Sequence, residues 1–288
     1  MGYQHIDNLY KAQDILLFRE CFCMEKIHGT SSHLSWKDGQ LTFSSGGEKH
    51  EKFVALFDQE ALRTAFAERG QTEMVVYGEA YGGKCQGMSA TYGKELKFVA
   101  FEVKVGPHWL SVPQAEGCCH SLGLEFVHYR QVSTDLGALD AERDAPSVQA
   151  VRNGIVEPKR REGVVLRPLI EVTKNNGDRI VAKHKRAEFS ERATIPEVDP
   201  TKRLMLEQAG DIAIEWVTEM RLAHVLDRLG NPNELTACPA VIAAMVEDVC
   251  REASGEIVDS QAARRAIAAR AVALFKAHLQ GTIGKEDG

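Results

Sequence analysis

Lys26 ends the apolar stretch of CMEKIHGTSS and is followed by His28, Gly29 and Thr30. A lysine in that setting is, taken alone, most often a solvated strand end. What points to chemistry is its company further along the chain. Glu79 sits in the turn-like VYGEAYGG, Phe101 in the aromatic run FVAFEV, Glu162 ahead of the β-branched EGVV, and Lys183 and Lys185 in RIVAKHK. The set supplies an amine, two carboxylates, a ring for stacking and a pair of cations. Period two places Lys183 and Lys185 on the same side of a strand. Two ammonium groups on one face repel, so that face is solvated or holds an anion. Each residue also has a plain structural reading: Phe101 as core, Glu79 as a turn carboxylate, the two lysines as surface residues of an edge strand. The conjunction favours the chemical reading.

The elements that must position these residues are short. From about residue 15 to 190 the chain reads as strands punctuated by Gly-rich turns with a few helices between them, an α+β pattern without a regular βαβ repeat. In Lys97 to Val105, alternation sends Val99, Phe101, Val103 and Val105 one way and Phe98, Ala100, Glu102 and Lys104 the other. Phe101 and Glu102 are therefore expected on opposite faces. The runs beginning at Glu162 and ending at Lys185 are strand-like and bounded by turn residues such as Asn175, Asn176 and Gly177. FDQEALRTAFAERG reads as a structural helix with Asp58 as N-cap and Gly70 as its stop. Beyond Ala193 to Pro200, a proline-bearing stretch without apolar periodicity, three helices are expected: Pro200 to Leu229, Pro239 to Ala253 and Ser260 to Gln280. Ile212, Trp216, Met220 and Ala223 fall on one face of the first, and Ile267, Ala271, Leu274 and Phe275 on one face of the last.

Composition limits the alternatives. With 288 residues, 44% of them hydrophobic and 26% charged, the chain can bury a full core in one large and one smaller domain. No apolar run approaches the roughly 18 residues of a membrane span, and the first residues lack the layout of a signal peptide, so the expected location is the cytoplasm. Seven cysteines with no CxxC pair read as reduced structural thiols. A formal net charge of −6 excludes unselective coating of nucleic acid and requires any such contact to be a local basic surface.

In this order, the segments around Lys26, Glu79, Phe101, Glu162 and Lys183–Lys185 resemble the nucleotidyltransferase motifs of the covalent ligase and capping-enzyme superfamily. They are most similar to nick-sealing RNA ligases of the kind found in T-even phages (the second type) and in trypanosome RNA editing. The likeness runs from Glu25 to Lys185, and a helical tail also fits that group. It implies a nucleotidyltransferase domain with ATP-grasp-like antiparallel sheets, residues 1–195, followed by a small all-helical domain, 196–288, that grips a duplex. It further implies an ATP-dependent RNA ligase acting through lysyl-AMP and adenylylated RNA, with AMP carried on Lys26.

On these positions the implied roles make physical sense. A lysine attacking the α-phosphorus of ATP must be unprotonated although its reference pKa is about 10.4, so burial and nearby cations have to lower it. Lys183, Lys185 and a bound magnesium, with manganese as a substitute, would supply that field and hold the α-phosphate. Glu79 would accept from the ribose hydroxyls and Phe101 would stack on adenine. Glu25, Ile27 and His28 flank the nucleophile as nucleotide contacts, and Val164 or Val165 would cover the other face of the base. Glu162 would orient magnesium waters, joined by Glu102 where the family more often has Asp.

The chain departs from the family pattern about twenty residues after the nucleophile, where FSSGGEKHEKF, with Ser44, Ser45, Gly46 and Gly47, replaces an arginine. The small residues suit a backbone nest for phosphate, and Lys49 or Lys52 suit the charge. Basic runs at Lys159–Glu162 and Lys183–Arg186 concentrate positive potential beside two of the motifs. The expected partner is RNA with 3′-OH and 5′-phosphate ends, in a nicked duplex, bound by a monomer. The helical tail offers Lys202, Arg203, Arg264, Arg265, Arg270 and Lys276 for phosphates. A DNA ligase or capping guanylyltransferase is the nearest alternative, disfavoured because both normally continue into an OB-fold. A catalytically dead nucleic-acid-binding relative is the other.

Overall fold

The structure, a computed structural model, describes residues 2–174, 177–192 and 209–283. The chain divides into two compact units, Met1–Arg186 and Ala187–Gly288. The expected join at Ala193 to Pro200 lies outside the described residues, as do Asn175 and Asn176.

In chain order the first unit contains β1 (Glu20–Lys26), β2 (Thr30–Lys37), β3 (Gln40–Ser44), α1 (His50–Val54), α2 (Gln59–Glu68), β4 (Glu73–Gly82), α3 (Ser89–Tyr92) and β5 (Leu96–Val105). It continues with β6 (His108–Trp109), α4 (Val112–Ser121), β7 (Tyr129–Ser133), α5 (Leu136–Asp144), α6 (Val148–Arg152), β8 (Gly163–Pro168) and β9 (Ala182–Lys185). These strands form two antiparallel sheets, one in the order β7-β1-β8-β9 and one in the order β3-β2-β4-β5-β6. The architecture is the expected α+β one.

Both sheets contribute to one apolar core. Phe22 and Met24 of β1 join Leu34 and Trp36 of β2, Val76 of β4, Val99 and Val103 of β5, and Val112, Ala115 and Cys119 of α4. Cys21 and Cys23, on the opposite side of β1, are also buried, so the strand is covered on both faces and reads as a continuous apolar run. All seven cysteines are free thiols, and burial pushes Cys21 up to about 12. As read from the sequence, Asp58 caps α2 by accepting from the Ala61 amide, and Gly70 has a positive φ of 65° two residues beyond the helix.

The second unit is helical: α7 (Ala209–Trp216), α8 (Glu219–Arg228), α9 (Cys238–Glu252) and α10 (Gln261–Ile283) surround a core that includes Trp216, Leu222, Val241, Met245, Ile267 and Phe275. The single helix expected over Pro200 to Leu229 is interrupted, and its residues before 209 lie outside the described ones. Thr218 starts a new helix, its hydroxyl accepting from the Arg221 amide. The break rephases the chain, burying Leu222, Val225 and Leu226 and leaving Ala223 exposed, so the expected stripe through Met220 and Ala223 does not extend past Trp216. Among the described residues, no helix is long and apolar enough to cross a membrane.

Candidate active site

β1 delivers Lys26 as its last residue, with Gly163 of β8 opposite. The turn that follows needs its glycine. A Cβ on Gly29 would lie 2.2 Å from the Ala80 carbonyl oxygen and 3.0 Å from Glu79 Cγ, so β2 can start this close to β4 only without a side chain there. The Lys26 Nζ is 2.9 Å from Glu162 Oε2, and His28 Nδ1 is 3.2 Å from the same oxygen. Lys185 Nζ reaches the other oxygen, Oε1, at 2.9 Å. Glu162 is 1% exposed. Burial alone would raise its carboxyl, but Lys185, Lys26 and His28 outweigh that and hold it well below the ordinary carboxylate range.

In front of this cluster is a cavity of about 240 Å³, with Lys26, Ile27, Glu79, Phe101, Val165 and Lys183 in its walls. Lys183 pairs with Val165 across β8 and β9, and Lys185 pairs with Gly163, so the two lysines follow the shared-face pattern read from the sequence. Gly163 allows this crossing: a Cβ there would sit 2.2 Å from the His184 carbonyl oxygen. Glu79 lies opposite Ser31 on β2. Burial pushes its carboxyl up to about 8, the positive field of Lys26 opposing and the charge of Glu162 adding to the rise. The arrangement brings together an amine, one lysine of the strand pair, a protonatable carboxyl and an aromatic wall around one space.

A family model for RNA ligases matches residues 19–185, more than half of the chain. This chain belongs to the RNA ligase family. Solved structures of the RNA ligase of Naegleria gruberi share the fold. A mutant with AMP and Mn aligns with a TM-score of 0.51 at 12% identity, over 66% of this chain and 57% of that one. The same ligase with PPi gives 0.51 at 14% over 66% and 57%. A mutant with ATP and Mn gives 0.51 at 12% over 66% and 56%. This chain therefore spans 57% or less of the length of the solved ligases it matches here. No curated protein matches the sequence.

Several residues of this RNA ligase family member stand differently from the sequence reading. Phe101 and Glu102 do not serve opposite faces; both line the cavity. The cause is a β-bulge: Gly78 pairs with Ala100 and Tyr77 with Glu102, leaving Phe101 as an extra residue on β5 that breaks the alternation. Glu102, expected beside Glu162 at a metal, is instead buried in an ionic network. One oxygen meets Arg179 and, at 2.9 Å, Arg167, and the other accepts from the Tyr3 hydroxyl. Arg167 also donates to the Leu110 carbonyl at 2.6 Å, and Arg179 donates to Glu171 and lies 4.2 Å from the Trp109 ring centre. Two guanidinium groups on one carboxylate leave it poorly suited to a cation. Among the described residues, no group of three or more His, Cys, Asp or Glu side chains is placed to hold a metal.

Glu25 presents another departure. Its carboxylate accepts from Ser147 Oγ at 2.5 Å and from the Val148 and Gln149 amides at 2.9 and 3.3 Å, capping the start of α6. What Glu25 can offer a ligand is main chain. In return α6 sends Gln149 to the Tyr81 hydroxyl and is followed by Asn153, which bonds the Tyr92 carbonyl, while the Tyr92 hydroxyl accepts from the His28 amide. The residues on both flanks of Lys26 are thus tied to one short segment, which sequence reading missed because these polar contacts follow no periodicity.

The turn replacing the family arginine packs beside the segment that follows Lys26: Gly47 N–H donates to Thr30 Oγ1 at 2.8 Å, and a Cβ on Gly46 would lie 2.4 Å from the Ser31 carbonyl. The basic runs are largely structural. Arg161 is buried and donates to the Pro146 carbonyl, Arg186 donates to the Asp144 carbonyl, and Lys159 pairs with Glu157. In the helical unit Arg264 pairs with Asp259 and Arg270 donates to the Val217 carbonyl, while Lys202 and Arg203 lie outside the described residues.

Proposed function

We propose that this RNA ligase family chain joins RNA ends with ATP, carrying AMP on Lys26. The observation that supports the reading most is the Lys26 amine held 2.9 Å from the buried Glu162 at the edge of the cavity that Lys183 and Glu79 also line. In the first step the Lys26 nitrogen attacks the α-phosphorus, a nitrogen–phosphorus bond forms, and the bond to pyrophosphate breaks. The lysine gives up a proton and pyrophosphate leaves. In the second step the 5′-phosphate of RNA attacks the same phosphorus and frees Lys26. The 3′-OH of the neighbouring end then attacks the RNA phosphorus and expels AMP.

The Lys26 amine is paired with Glu162, so the pair separates before attack. Lys183 and Lys185 hold the α-phosphate oxygens as charge develops, which is where preorganised cations have their largest effect. Phe101 stacks on the adenine and Val165 covers its other face, with the main chain of Glu25 and Ile27 at its edge. His28 steadies Glu162, and Glu79 bonds the ribose hydroxyls. The donor set contains a single carboxylate near the phosphate end, which suits a magnesium or manganese ion brought in on ATP and held through water; bound there, it neutralises phosphate charge.

Incubation with ATP labelled at the α-phosphate, followed by denaturing electrophoresis, tests the reading directly. Wild-type protein acquires the label and Lys26→Ala does not; labelling that survives in the variant rejects Lys26. Nicked duplexes with RNA or DNA set independently on the 3′-OH and 5′-phosphate sides then define the substrate, and efficient sealing only with a DNA 3′-OH strand would move the assignment to a DNA ligase.

A further inference from the structure

The cavity has a wall that none of the nucleotidyltransferase motifs supplies. Tyr3, Gln4, His5 and Ile6 line it, and the residues that follow fasten this segment to the sheet carrying the paired lysines. Leu9 N–H donates to the Lys183 carbonyl at 2.8 Å and Lys183 N–H donates to the Asp7 carbonyl at 2.9 Å. At its other end the Tyr3 hydroxyl donates to Glu102 on β5 of the other sheet. The segment therefore spans from one sheet to the other. The Tyr3 ring lies 5.0 Å from Phe101 and 5.1 Å from Tyr77, centre to centre, with the Phe101 contact edge-on. Burial and the neighbouring Glu102 raise the Tyr3 hydroxyl well above its ordinary value, so it remains a donor throughout the working pH range. Glu102 is itself fixed by Arg167 and Arg179.

We propose that Tyr3 is a specificity-determining residue: held between Glu102 and the aromatic cluster, its ring closes the space beside Phe101 and sets how large a base the cavity accepts. The inference rests on the reading of Phe101 as the base-stacking residue. An aromatic ring pinned at its hydroxyl and packed edge-on is a rigid wall, whereas an unpinned ring on a short chain segment would rotate away from a bulky ligand. The tether and the ring contribute separately. Tyr3→Phe keeps the ring and loses the tether, and Tyr3→Ala removes both.

The test is calorimetric binding by the full-length protein of ATP and of ATP analogues enlarged at N6 or at C2 of the adenine, with α-labelled ATP run in parallel. Wild-type protein should reject both enlarged analogues by about tenfold or more, while Tyr3→Ala loses about three- to tenfold in ATP affinity and admits at least one analogue as well as it does ATP. Tyr3→Phe, whose ring is packed but unpinned, should lose part of the discrimination, with a smaller loss for ATP than Tyr3→Ala. If Tyr3→Ala does not fold, Tyr3→Val opens the same space and is read the same way. Unchanged ATP affinity and discrimination, or an equal loss for ATP and both analogues, overturns the proposal, since the first shows no contact and the second only a structural role. Wild-type protein that binds ATP yet never becomes labelled overturns the proposed function while the binding comparison still decides on Tyr3. Protein that binds no ATP overturns both.

Discussion

At the scale of single residues, the site is organised around one buried carboxylate and its three basic neighbours. Replacing Lys183 or Lys185 by Ala should lower self-adenylylation measured without any polynucleotide by about a hundredfold, the usual cost of removing one preorganised donor from developing charge. Normal labelling with defective sealing would instead assign these lysines to the nucleic acid. Glu79 provides a second, independent prediction through pH. Its carboxyl is raised to about 8 in the folded protein from an ordinary 4.5, so the folded state binds a proton that the unfolded chain releases. The associated stability is complete below about pH 4.5 and is lost as pH rises toward 8. Glu79→Gln cannot lose that proton. Across this window its melting temperature should rise relative to wild type, by an amount below the limit of about 1.4 kcal/mol per pH unit because Glu79 is only half-buried. A constant difference between the two proteins from pH 5 to 8 would show that Glu79 titrates as an exposed acid.

Among the elements, β8 and β9 leave the least tolerance. Gly163→Ala would force a methyl group into the His184 carbonyl, displacing Lys185 from Glu162 and Lys26 from its pairing partner together. The expected result is a folded protein, its far-ultraviolet spectrum intact, with self-adenylylation reduced at least as much as in Lys185→Ala; wild-type labelling would show that the two strands can part without consequence. The strands themselves were legible in the sequence because alternation and turn residues mark them, and so were Lys26, Glu79, Glu162 and the lysine pair as a set. Phe101 and Glu102 were misplaced relative to each other because a bulge leaves no compositional trace. Glu102 also lost its expected neighbour for a long-range reason: Arg167 and Arg179 reach it from β8 and from the segment before β9, and sequence spacing does not reveal such a convergence. Helix periodicity likewise ran straight through Val217 and Thr218, where a capping hydroxyl restarts the helix.

For the molecule as a whole, the motifs all lie in the first unit, and the family match ends at residue 185. A chain ending at Arg186 should therefore still take label from ATP while sealing of a nicked duplex falls by orders of magnitude and loses its dependence on salt. Sealing at the full-length rate would remove the helical unit from duplex binding, and an insoluble fragment would give that unit a structural role. The first unit is also built from distant pieces: Lys26 and Glu162 are 136 residues apart, and β9 follows later still. Pairings of that span fold late, since the loop must close before its contacts can repay it. On the ribosome this ordering would act as a safeguard if Lys26 reacts as proposed. On the proposed reading, a nascent chain presents the Lys26 amine early, but Glu162 and the lysine pair that complete the site emerge near the end of the unit, so a prematurely terminated product would carry Lys26 without the groups that hold ATP.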